Sequence, residues 1–79
     1  MLAMQQQVVS DEPALEVGQQ YVDGAGREWL IKAERSSRPH RSYAIQVRFP
    51  DPEDGYATFV MSPGEFMQLC RRTQMRECQ

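Results

Sequence analysis

Hydrophobic and polar positions alternate most cleanly over Ser42–Phe49, where Tyr43, Ile45, Val47 and Phe49 fall to one side and Ala44, Gln46 and Arg48 to the other. A period of two is that of a half-buried β-strand. Arg27–Ala33 has the same period, with Trp29, Ile31 and Ala33 on one face and Glu28, Leu30 and Lys32 on the other. Tyr21 and Val22 precede Asp23-Gly24-Ala25-Gly26, whose glycines supply the backbone freedom of a tight hairpin. Glu34–Arg41, ERSSRPHR, lacks apolar anchors and reads as an exposed loop. Pro50 and Pro52 stop the second alternating run because neither has a backbone donor, Asp54-Gly55 turns the chain, and Tyr56–Met61 forms the next strand.

The following residues, Ser62-Pro63-Gly64-Glu65, change the period. Ser at the cap, Pro at the first helical position and Glu three residues after the cap form a capping box. Phe66, Leu69, Cys70 and Thr73 then recur at helical spacing, with Arg71, Arg72 and Arg76 toward the end where the helix dipole favours positive charge. The predicted fold is therefore α+β: a four-stranded antiparallel sheet (meander) followed by one C-terminal helix packed on the sheet. Residues 1–19, Gln-rich and then acidic without sustained periodicity, read as a flexible N-terminal arm. Residues 20–76 form the ββββα domain and residues 77–79 a tail.

Composition adds a size and an address. A chain of 79 residues supports one small core, and 41% hydrophobic with 25% charged residues is ordinary for a globular protein. No basic, apolar leader opens the chain and no run is long enough for a membrane span, so a cytoplasmic address is expected. Cys70 and Cys78 match neither a redox pair nor a zinc knuckle and read as reduced thiols.

The net charge of −2 hides a strong segmentation. Residues 1–26 hold four carboxylates and no Lys or Arg, whereas residues 27–48 hold six cations against two carboxylates. Acid returns in Asp51, Glu53, Asp54 and Glu65. A concentrated basic region can attract an anionic partner even on a mildly acidic chain.

Catalytic and metal chemistry find little support. His40, the only histidine, lies in the polar loop with no evident partner to make it a general base. Cys70 sits on the apolar stripe, and the carboxylates Asp51, Glu53 and Asp54 match no calcium-loop spacing. No enzyme activity, cofactor or metal is expected. The remaining candidate is a binding surface. Lys32, Arg35, Arg38, Arg41 and Arg48 are placed to neutralise phosphates, with Trp29 or Tyr43 to stack on bases, the combination by which single-stranded nucleic acid is held. Alternation sets Lys32 opposite Trp29 and Arg48 opposite Tyr43, so a basic outer face leaves those aromatics for the core. The rival is a small protein-protein interaction module, an adaptor or an inhibitor carried by a mobile element, that uses a strand edge, the arm or the Arg-bearing helix.

SYAIQVRFPDPEDGYATFVMSPGEFMQL resembles the C-terminal half of the single-stranded DNA-binding transcriptional coactivator family, which is akin to the plant Whirly proteins. The likeness rests on Tyr43-x-Ile45, the acidic Pro-containing turn, and a strand running into Ser62, Glu65, Phe66 and Leu69. It implies a curved four-stranded sheet followed by a helix, a homodimer, and single strands bound across the sheet. The first half of the chain carries no such likeness, and a Lys-rich strand is absent.

Overall fold

A computed structural model describes residues 14–78. The strands are β1 (Gln20–Val22), β2 (Glu28–Ser36), β3 (Ser42–Arg48), β4 (Tyr56–Met61) and β5 (Arg76–Glu77), and one helix, α1 (Pro63–Thr73), separates β4 from β5. The sheet order is β4-β3-β2-β1-β5 and every pairing is antiparallel. The α+β class and the meander of the first four strands match the alternation in the chain. No helix among the described residues is long and apolar enough to cross a membrane.

Among the described residues the sheet has five strands, not four, and the fifth takes Arg76 from the end of the expected domain and Glu77 from the expected tail. Gln74 closes α1 in the left-handed region (φ 57°), and Met75 N donates to Cys70 O at 2.9 Å. This reversal lays Arg76 beside Val22 and Glu77 beside Tyr21, and Cys78 N donates to Gln20 O at 2.8 Å. A two-residue strand has no period for a pattern to reveal. At the other end, residues 1–13 of the expected arm lie outside the described residues. Residues 14–19 are tied to the sheet: Gly18 N donates to Ile31 O, Ile31 N to Gln19 O, and Leu15 packs against the core.

One face of the sheet carries Tyr21, Trp29, Ile31, Tyr43, Ile45 and Val47, and α1 covers it with Phe66. Phe66 meets Tyr21 edge to face at a centroid distance of 5.0 Å, a favoured arrangement of ring quadrupoles. α1 starts where the capping box places it. Ser62 Oγ accepts from Glu65 N at 3.1 Å, and Glu65 Oε1 accepts from Ser62 N at 2.8 Å.

Two irregularities in β2 break its alternation. Ile31 faces Ile45 but Ala33 faces Ala44, so Lys32 is an extra residue, and a second shift follows between Glu34 and Ser36. Ala33, expected beside Trp29 and Ile31, is thereby moved to the helix-free face with Ala44 and Val60.

The β1–β2 turn is organised by one carboxylate. Asp23 Oδ1 accepts from Ala25 N and Arg27 N, each at 2.9 Å, while Oδ2 accepts from Arg27 Nε at 2.7 Å and Trp29 Nε1 at 3.0 Å. Asp23 is only 6% exposed. Gly26 takes φ 86°, and Gly24 approaches α1 so closely that a Cβ there would meet Thr73 O at 3.3 Å.

Burial works to raise the Asp23 pKa, but the hydrogen bonds from Trp29, Arg27 and Ala25 outweigh it and hold the carboxyl below its ordinary value. A carboxylate depressed in the folded state stabilises the fold fully above the unfolded-state pKa, and that contribution is lost as pH falls through the folded value. Asp23→Asn turns an amide nitrogen or loses an acceptor toward the Arg27 and Trp29 donors, and is expected to cost about 2–4 kcal/mol. Urea unfolding should show this loss at pH 7 and a narrower gap between variant and wild type in acid; equal midpoints at pH 7 would refute the role.

Candidate nucleic-acid interface

The five cations expected at a binding face do not share one. Lys32 and Arg35 occupy the irregular positions of β2, Arg38 lies in the β2–β3 loop, and all three are exposed. Arg41 immediately precedes β3, and its Nη1 lies 3.2 Å from Glu34 Oε2. Both partners of that pair are substantially exposed, which makes it a weak restraint in water. These four residues form the distal part of a two-stranded ribbon, with Glu34 the one carboxylate between Lys32 and Arg41.

Arg48 belongs elsewhere. It lies at the opposite end of β3 on the helix-free face, paired across the strands with Glu28. Gln20, Val22, Leu30 and Gln46 join this pair around a shallow cavity of about 380 Å³. With acid and base side by side, this face is mixed rather than basic.

The aromatic part of the expected site is corrected. Trp29 is 5% and Tyr43 2% exposed, both on the face covered by α1. Trp29 Nε1 is committed to Asp23, and the Tyr43 hydroxyl accepts from Leu15 N at 3.2 Å. Neither ring can stack on a base, because the strand alternation that makes β2 and β3 good sheet formers turns the large residues inward.

The other candidate groups show no catalytic or metal-binding arrangement among the described residues. Asp51 Oδ1 accepts from Glu53 N at 3.0 Å and so caps the short 3-10 turn Pro52–Asp54. His40 is exposed. Among the described residues no three His, Cys, Asp or Glu side chains gather in a metal-binding arrangement.

A second exposed feature escaped sequence reasoning. β4 pairs with β3 on one side and with no described strand on the other. Tyr56 is 66%, Phe59 48% and Val60 60% exposed, although Trp29 and Phe59 lie 6.5 Å apart between ring centroids. The signal lies in YATFVM, a strand without charge or strict alternation, which the sequence identifies as the fourth strand without showing that it ends the sheet.

The fold and both features define, over the described residues, a small α+β protein with one antiparallel sheet that α1 covers on one face. Comparison with protein-family models, with curated proteins and with solved structures finds no match.

The two thiols occupy different environments. Cys70 is half-buried against the core with its thiol pKa pushed up by burial, whereas Cys78 is exposed after β5. Thiolate is the reactive form, so an aromatic disulfide reagent at pH 8 should modify Cys78 first. Mass spectrometry of partially labelled protein tests this, and label found first on Cys70 contradicts the burial argument.

Proposed function

We propose that this is a non-enzymatic nucleic-acid-binding protein that grips the phosphate backbone through the β2–β3 ribbon, in a sequence-independent way. The observation that carries the reading is the concentration of Lys32, Arg35, Arg38 and Arg41 on one exposed ribbon beyond the buried residues of β2. A two-stranded ribbon is narrow enough to enter a duplex groove, and extended cations equally track a single strand. Arg48 lies outside the site, since it shares its surface with Glu28. With Trp29 and Tyr43 enclosed, phosphate charge supplies the affinity and bases supply little of it. The unpaired thiols Cys70 and Cys78 fit a reducing cytoplasm.

The rival reading, a protein-protein interaction module, is favoured by a different observation, the exposed apolar edge of β4. The two readings use separate surfaces.

Phosphate binding has a defined salt signature. Four cations contribute a slope of log affinity against log salt of at most about −3 for a single strand, and slightly steeper for a duplex. Anisotropy titrations of labelled single-stranded and duplex oligonucleotides measure both arms. Arg35→Glu combined with Arg38→Glu should weaken both by more than about tenfold and flatten the slope, without changing the circular dichroism. No binding at 20–50 mM salt, or binding that the double variant leaves intact, would sink the proposal.

A further inference from the structure

We infer that β4 pairs antiparallel with β4 of a second copy of this chain across a twofold axis, joining two sheets into one. This inference is independent of the nucleic-acid reading, because β4 and the ribbon are different surfaces.

The first ground is the strand itself. An edge strand leaves alternate backbone amides and carbonyls unpaired, and proteins that remain single usually guard such an edge with Lys, Pro, a bulge or a covering element. Tyr56–Met61 contains no charged residue and no Pro, and its pairing with β3 runs in regular register over all six residues. At the opposite edge, by contrast, the two-residue β5 carries Arg76 and Glu77. Among the described residues one edge is guarded and the other is open.

The second ground is self-complementarity. Tyr56, Thr58 and Val60 share the helix-free face with Arg48, Gln46 and Ala44, whereas Ala57, Phe59 and Met61 share the covered face with Val47, Ile45 and Tyr43. A twofold axis perpendicular to the sheet keeps each face on its own side, so partners in an antiparallel pairing must have the same parity. An axis through Thr58 satisfies this. It sets Tyr56 opposite Val60 of the second copy, twice, so that two of the most exposed apolar side chains cover each other as an aromatic and β-branched pair. On the other face it sets Ala57 opposite Phe59, small against large.

The third ground is charge. Tyr43 pairs with Met61, which places the start of β3, and with it Arg41, beside the C-terminal end of β4. The N-terminal end of β4 follows the turn that carries Asp51, Glu53 and Asp54. Antiparallel pairing therefore brings the acidic turn of one copy to within about two strand spacings, ~10 Å, of Arg41 of the other, inside the combined reach of the side chains. Parallel stacking of the same edges would bring acidic turn to acidic turn. Lys32, Arg35 and Arg38 remain clear of the junction, and the two ribbons project at opposite ends of the joined sheet. A closed twofold pair also uses up the β4 edge of both copies, so that among the described strands only the short, charged β5 edges stay outermost.

The axis position makes the test specific to self-pairing. Thr58 is exposed, so Lys or Glu there leaves the monomer fold intact, yet either places two like charges directly opposite each other in the dimer. Sedimentation equilibrium of the full chain should show twice the 9.1 kDa chain mass for wild type. Thr58→Lys and Thr58→Glu should each dimerise at least tenfold more weakly, and their equimolar mixture should regain dimer. Hydrogen exchange of wild type should show β4 amides whose protection rises with protein concentration. A monomer at every concentration overturns the inference, whether β4 amides are open or are protected by residues 1–13. A dimer that both Thr58 variants leave unchanged, with β4 amides unprotected, overturns it as well.

Discussion

The carboxylate of Asp23 is the constraint on which the rest of the structure leans. Four donors from three residues converge on its two oxygens, and each fixes something different. Ala25 N and Arg27 N fix the turn, Arg27 Nε offsets the charge, and Trp29 Nε1 fixes the rotamer of the largest core side chain. A buried carboxylate without these partners would be strongly unfavourable, so the turn conformation and its Asp are stable only together. The same turn then receives the helix end, as Gly24 N donates to Thr73 O at 2.8 Å. Where that helix ends decides where β5 can begin. The turn, the core and the fifth strand are thus linked through one side chain, although Arg27 is partly open to solvent and its ion pair contributes less than the enclosed hydrogen bonds.

The shortness of α1, the one α-helix among the described residues, then determines what they leave uncovered. Eleven residues of α1 extend about 16 Å. Nine residues of β2 extend about 30 Å. One helix of that length cannot roof the whole of the long strands, and the core accordingly ends at Ile31 on β2 and at Tyr43 on β3. Beyond those positions the ribbon has no apolar layer to satisfy, and β2 continues with Lys, Ala, Glu, Arg and Ser in place of Trp and Ile. Irregular positions are tolerated there for the same reason. An extra residue such as Lys32 turns the side chains after it to the other face until the second shift, between Glu34 and Ser36, which would be costly within the buried part and is inexpensive beyond it.

Much of this was legible in the sequence where a period was long enough to be seen. β3 and the start of α1 were readable because seven alternating residues and a complete capping box each specify one structure. The two-residue β5 was not, because its formation depends on where Gln74 reverses the chain, which is tertiary information. The candidate site was legible by composition but not by geometry. Six cations in 22 residues identified a basic region, while the bulges that place Lys32 and Arg35 and the burial of Trp29 and Tyr43 depend on pairing register. Even so, alternation already argued that aromatics and cations would face opposite ways, and the aromatics did turn inward.

Segmented charge acquires a structural meaning once the strands are in place. Four cations of the basic segment, Lys32, Arg35, Arg38 and Arg41, lie on the ribbon at one end of β3, and the acidic turn Asp51–Asp54 follows the other end, while Arg27 and Arg48 sit beside the carboxylates Asp23 and Glu28. Such a bipolar body repels a parallel copy and attracts an antiparallel one, while its modest net charge of −2 provides little general repulsion to keep copies apart. The apolar edge of β4 lies between these poles, so charge and hydrophobic exposure favour the same relative orientation. Neither is strong in isolation, since exposed charges are screened by salt and three partly exposed apolar side chains are a small patch. Their agreement in direction, together with an unpaired ladder of backbone groups, is what makes one antiparallel arrangement preferable to the alternatives.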